Sequence, residues 1–225
     1  MREKKQIKRD TKISLLIHEM QKERGSSVGF IASKGTKFKD TLSNQRELTN
    51  KSIEEFKKVV ELIDISKYPE NGKNTIDNTL KELSNIQNIR SDISNLKIEA
   101  NKAITFYTNT NSILLDFVAL TTTKVEKEDD TRTLIAYYNF LMAKERTGNE
   151  RAIGSNTFAA KKFAAGMYEK YTGLVYEQKV FIDGFLKYSG EENKNFYKEV
   201  IDQPVINEVD EKRKILLSYG ENKEI

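Results

Sequence analysis

Apolar residues recur every three to four positions along almost the whole chain, and only Pro69 and Pro204 interrupt its 225 residues as prolines. A period near 3.6 places apolar side chains on one face of an α-helix, and proline is its strongest breaker. Long helices are therefore the default, and no segment reads as a strand. Eight helices are predicted, over about residues 11–33, 37–66, 75–94, 98–123, 131–157, 160–188, 191–201 and 204–219. The first carries the stripe Ile13, Leu16 and Ile17, Met20, Ser27 and Val28, then Ile31. Gly35-Thr36 ends that helix, Tyr68 to Gly72 reads as the clearest turn, and Ser189-Gly190 ends the sixth helix. Pro204 suits the first turn of the last one. Acids in the link from Lys124 to Asp130 precede the fifth helix, where the dipole favours them. Short connections make sequential helices antiparallel neighbours, so the fold class is all-α, in up-and-down bundles. The first and second predicted helices, and the fifth and sixth, are expected to be long hairpins. No tandem repeat is visible in the sequence.

Composition narrows the function. Lys and Arg total 38 against 34 Asp and Glu, a net charge of +4 with the signs interspersed. That is the pattern of solvated helix faces rather than of a concentrated basic surface, so no nucleic-acid partner is expected. The one basic cluster runs from Arg2 to Arg9. With no cysteine, disulfides and thiolate metal sites are excluded. The single histidine, His18, reads as a partly exposed packing residue, so neither a metal site nor a cofactor is expected. There is no Gly-rich phosphate loop and no nucleophile elbow. Acid pairs such as Glu54-Glu55 are adjacent, so they point to different helix faces. No residue is a candidate for catalysis, and the chain does not read as an enzyme. No apolar run reaches the roughly 18 residues of a membrane span.

Three arginines stand out. Arg24 falls on the apolar stripe of the first predicted helix, within Glu23-Arg24-Gly25-Ser26-Ser27-Val28-Gly29. A guanidinium on a core-facing stripe needs a partner, because an unpaired buried charge is strongly unfavourable. The small residues Gly25, Ser26, Ser27, Gly29 and Ala32 let a neighbouring helix or a small guest approach. Arg151 follows Tyr137, Phe140, Lys144 and Gly148 at helical spacing and is preceded by Glu150. Arg213 lies in line with Ile206, Val209, Leu216 and Leu217. Two readings stay open. Each arginine is paired with a carboxylate, as Glu23 and Glu150 permit, and the chain is a helical protein–protein interaction module. Alternatively, the guanidinium forks converge between helices on a small oxyanion, for which their planar donors are suited.

Several segments resemble the nitrate- and nitrite-sensing (NIT) domain family over about residues 11–218. They are Leu16 to Ser27 with Gly29-Phe30, Asn44-Gln45-Arg46, Phe106-Tyr107-Thr108 with Leu114-Leu115-Asp116, Lys144 to Ala152, and Glu208 to Ile215. The resemblance implies two stacked helical bundles, no catalysis, and nitrate or nitrite held between helices by arginines. Carried over by motif, the ligand-binding residues are Arg24, Arg151 and Arg213, supported by Glu23, Gly25, Ser27, Lys144, Gly148 and Glu150. Asn149 departs from the glutamine usual in the family, and Arg146 lies at a variable position and is expected at the surface. Arg24 and Arg151 are expected to face each other deep in one bundle. Family members occur in membrane receptors and in a soluble transcription antiterminator. The resemblance therefore implies a periplasmic sensor domain of a membrane-anchored, chemoreceptor-like signalling receptor, homodimeric when intact. The expected organisation is a trimmed edge at 1–10, the sensor domain at 11–219 and a tail at 220–225.

Overall fold

A computed structural model describes residues 2–64, 66, 68, 70–122 and 128–220. Nine helices are found among them: α1 (Arg2–Ala32), α2 (Lys39–Glu61), α3 (Glu70–Ser84), α4 (Ile86–Ser94), α5 (Ala100–Thr122), α6 (Glu128–Ala160), α7 (Met167–Tyr188), α8 (Glu191–Ile201) and α9 (Pro204–Tyr219). No strand occurs among the described residues. The chain divides into two compact units, Met1–Lys124 and Val125–Ile225.

In the first unit α1 packs against both α2 and α5, and α3 against α5. The α1–α2 pair is the expected antiparallel hairpin: Gln45 reaches Glu19, while Glu55 reaches back to Lys12. Ile13, Leu16 and Met20 of α1, Phe56 of α2, Ile76 of α3, Ile93 of α4 and Phe117 of α5 are all essentially solvent-free. Phe56 meets Phe117 edge to face at 5.7 Å. Burial of each such side chain is worth about 1.5–3 kcal/mol. Helix α1 stops in a Schellman turn: Gly35 N–H donates to Phe30 O and Lys34 N–H to Ile31 O, both at 2.9 Å, with Lys34 at φ 51°. The end of α4 repeats the device with Leu96 at φ 53°.

The second unit is organised on the α6–α7 hairpin. Antiparallel register follows from Arg146 with Glu177 and from Glu150 with Tyr171. Its core joins Ile153, Phe163, Tyr171, Leu174 and Leu216. Helix α9 contributes only Leu216 as a buried residue, and α8 contributes none.

Three expectations are corrected. The third predicted helix is two, α3 and α4, because Asn85 turns between them and its N–H bonds Glu82 O in a tighter, three-residue step. The sixth predicted helix begins at Met167 rather than near Ala160. Lys161 and Gly166 take φ 58° and 71°, and the intervening segment buries Phe163 against the rings of Tyr168 and Tyr171. Glu70, Asn71 and Gly72, expected in a turn, form the first turn of α3; Pro69 lies outside the described residues. Gly72 packs closely there, since a Cβ would sit 3.0 Å from Leu120 and 3.2 Å from Tyr68. Of the expected acidic link, residues 124–127 lie outside the described residues, and α6 begins at Glu128. The last two predicted helices coincide with α8 and α9, the latter starting on Pro204 after an extended Gln203.

Candidate functional site

Consecutive residues on a helix diverge by about 100°. Glu23 and Arg24 therefore leave α1 in different directions, and the structure gives them different partners. The Glu23 side chain is wholly buried. Its carboxylate accepts two near-parallel hydrogen bonds from Arg90 of α4, Nε to Oε1 at 2.7 Å and Nη2 to Oε2 at 2.8 Å. The Tyr107 hydroxyl of α5 donates to Oε1 at 2.8 Å. Arg46 of α2 brings its Nε to 4.0 Å from the same oxygen. It is held there by Nη1 on Ser94 Oγ at 2.8 Å and Nη2 on the Arg90 carbonyl at 3.1 Å. Arg90 is only 4% exposed and uses its remaining Nη1 on Asn50 Oδ1. Burial and then the Glu23 charge push the Tyr107 phenol well above its ordinary range, which keeps it a donor.

Arg24 is 1% exposed, and its Nη1 donates to Thr108 Oγ1 of α5 at 2.9 Å. Its Nη2 is shielded from solvent as well. One turn on, Ser27 is fully buried with Oγ 3.5 Å from the Tyr107 hydroxyl. One turn back, buried Glu19 accepts from Gln45 and from Lys22. Burial raises the Glu19 carboxyl, but Gln45 and Lys22 outweigh that and hold it below the ordinary range. Glu19, Glu23, Arg24 and Ser27 of α1 are thus buried and hydrogen-bonded, while Lys22 is exposed. Gly25 has open space where its Cβ would be, so no neighbouring helix packs against it there. At Gly29 a Cβ would lie 2.7 Å from the Phe38 ring, which folds back over it, so that ring would have to shift.

The second unit carries an independent cluster of the same kind. Buried Glu150 of α6 accepts from Arg213 of α9, Nε to Oε1 at 2.7 Å and Nη2 to Oε2 at 2.9 Å. Tyr171 of α7 donates to Oε1 at 3.1 Å, and Gln178 Nε2 to Oε2 at 2.7 Å. Burial pushes the Glu150 carboxyl up, but Arg213, Gln178 and Tyr171 outweigh it and hold it below the usual range. The bond to Glu150 raises Arg213 in turn. Arg213 Nη1 reaches Asp210 at 3.1 Å, so all three of its nitrogens are engaged by carboxylates. This is the ion-pair alternative rather than an open anion ligand. Gly148 is buried and Lys144 half-buried, while Arg151 is exposed. The expected placement of Arg151 deep in one bundle with Arg24 is therefore corrected: Arg151 is at the surface, and the two belong to different units. Arg146, expected at the surface, is half-buried, bonds Glu177 at 2.8 Å and lies 4.9 Å over the Phe181 ring.

Sequence reasoning missed Arg90, Tyr171 and Gln178, and gave no role to Arg46 or Tyr107 individually. A signal existed for Arg90, which sits between buried Ile86 and Ile93 on one helical stripe. That is the same anomaly that singled out Arg24. Among the described residues no group of three His, Cys, Asp or Glu is placed to hold a metal ion. No described helix is long and apolar enough to cross a membrane.

Comparison with known proteins adds three findings. A family model described as nitrate and nitrite sensing matches residues 15–224. The fold is similar to the structure of the NasR transcription antiterminator, with a TM-score of 0.89 at 20% identity. That match covers 94% of this chain and 57% of the antiterminator's chain. No curated protein matches the sequence.

Proposed function

The chain belongs to the nitrate- and nitrite-sensing (NIT) family, and from that premise we propose that it holds a small planar oxyanion, nitrate or nitrite, through Arg24. The observation that carries the reading is the enclosed Arg24 guanidinium, which lies within the segment that the family model matches. Arg24 is 1% exposed, while neighbouring Glu23 is bound bidentately by Arg90. An anion of four atoms or fewer has little area to bury, so its affinity must come from charge-assisted hydrogen bonds in a dry setting. Thr108 fixes one Arg24 nitrogen, which orients the fork. Arg151 keeps a ligand role by its motif alone, and Arg213 is read as the structural partner of Glu150. Glu23, Ser27 and Glu150 support by holding helices in register, and Gly25 by leaving space. Binding that favours one helix arrangement over another shifts that equilibrium, which is how a sensor of this kind transmits.

The test is calorimetric titration with nitrate, nitrite, formate and sulfate, together with thermal unfolding. Nitrate raises the melting temperature of the parent, and the response is lost in Arg24→Ala. Arg24→Lys loses most of it, because an ammonium cannot form two parallel bonds. If folded Arg24→Ala binds nitrate as the parent does, the reading fails and arginine there is structural.

For the wider setting we propose an extracytoplasmic sensor of a membrane-anchored, chemoreceptor-like homodimer, with no nucleic-acid contact by this domain. Its charges are interspersed rather than gathered into a basic face. The likeness to an antiterminator favours a second reading, in which the same module controls a transcriptional output. Cell fractionation of the full-length protein separates them: membrane association supports the first, and a freely soluble protein the second.

A further inference from the structure

We infer that Arg90, Tyr107 and Arg46 form a small-oxyanion site in the first unit, which the protein fills with its own Glu23 carboxylate. The donors have the form such a ligand needs. Arg90 presents Nε and Nη2 in one plane at 2.7 and 2.8 Å, and Tyr107 adds a third donor at 2.8 Å. Arg90, Tyr107 and the Glu23 they hold are more than nine-tenths buried, while the Arg46 side chain is 20% exposed. Carboxylate, nitrite and nitrate share nearly the same oxygen spacing, so one fork accepts any of them. Arg46 approaches the same oxygen at 4.0 Å with its Nε buried, so two guanidinium groups face a single negative charge. The surroundings thus favour an anion beyond what closing one ion pair requires. The site is built from α1, α2, α4 and α5, and its occupant is tethered. A tether gives Glu23 a local concentration that a free anion cannot match, so the intact site stays closed to solution ligands. The second unit, which shares no helix with the first, repeats the device at Glu150 with Arg213, Tyr171 and Gln178. In both units the internal ligand is the glutamate of a Glu-Arg pair.

This inference is independent of the Arg24 reading, and its test is made in an Arg24→Ala background. Glu23→Ala empties the site, and thermal unfolding is followed by circular dichroism in sodium formate against sodium chloride at equal ionic strength. Glu23→Ala lowers the melting temperature in chloride by several degrees, and about 100 mM formate restores a few degrees in a saturable way. Adding Arg90→Met abolishes the formate response. The Arg24→Ala parent, whose site is filled, shows no formate-specific shift. If the emptied variant does not fold in chloride, recovery of its helical signal on adding formate is the supporting result. No formate response, or one that survives Arg90→Met, overturns the inference. Because the comparison is made within the Arg24→Ala background, either outcome stands whether or not nitrate binds at Arg24.

Discussion

Replacing Arg213 by methionine keeps most of the side-chain stem and removes the cation from Glu150. Two charge-assisted hydrogen bonds are lost, at 2.7 and 2.9 Å. The Glu150 side chain, 7% exposed, keeps Tyr171 and Gln178 as its donors among the described residues. Breaking a fully buried pair is destabilising by about 3–5 kcal/mol. Arg213 is a quarter exposed, so water already screens it, and the expected loss is about 2–3 kcal/mol near neutral pH. The pH dependence separates this account from simple loss of packing. In the parent, Glu150 is held below the ordinary carboxylate range. Its contribution is therefore present above the unfolded value and is lost as pH falls through the folded one. In the variant the Arg213 contribution is gone and burial dominates, so the carboxyl rises and the variant gains relative stability on acidification. The difference between parent and variant narrows from about pH 7 to about pH 4.5, near the ordinary glutamate value. Urea unfolding at both pH values measures it. A difference below about 1 kcal/mol near neutrality, or one that does not change with pH, refutes the reasoning.

Other outcomes follow from the same geometry. Arg90→Ala destabilises the first unit more than Arg46→Ala does, because Arg90 makes the bidentate bond to Glu23 while Arg46 stays 4.0 Å away; chemical denaturation of the two variants ranks them. Gly25→Ala meets open space within a helix and stabilises by up to about 1 kcal/mol; a nitrate titration of the same variant shows whether the space serves the ligand. Gly184→Ala goes the other way by about 1–2 kcal/mol, since its Cβ would sit 2.5 Å from Asn139 Oδ1 and that side chain is tied to Ile135 O at 2.8 Å. Thermal unfolding of both glycine variants checks the opposite signs.

What was legible in the sequence was the periodicity and its local punctuation. Helix α7 stops before Ser189-Gly190, and α9 begins on Pro204, as those residues indicate. The α6–α7 connection was illegible because nothing between Lys161 and Ala165 is a breaker. Those residues leave the helix to bury Phe163, a tertiary gain that overrides propensity. At the site, the oddity of Arg24 was readable from its own helix. The partners of Glu23 were not, because Arg90 and Tyr107 lie 67 and 84 residues away. Pairing over such separations depends on which helices meet, and one-dimensional periodicity carries no record of that. The ion-pair alternative weighed for Arg213 fits its bidentate contact with Glu150.

Helix α8 buries no residue, and its Phe196 is 67% exposed. Its connection to the rest of the unit is light: Tyr197 touches the Phe185 ring at 5.8 Å. Yet the helix that follows carries Arg213, whose fork must meet Glu150 in one orientation. Adding or deleting one residue in α8 turns everything downstream by about 100° and shifts it by about 1.5 Å. The eleven residues of α8 therefore act as a gauge. Substitutions on its exposed face are expected to disturb the Arg213–Glu150 contact less than a change in its length does.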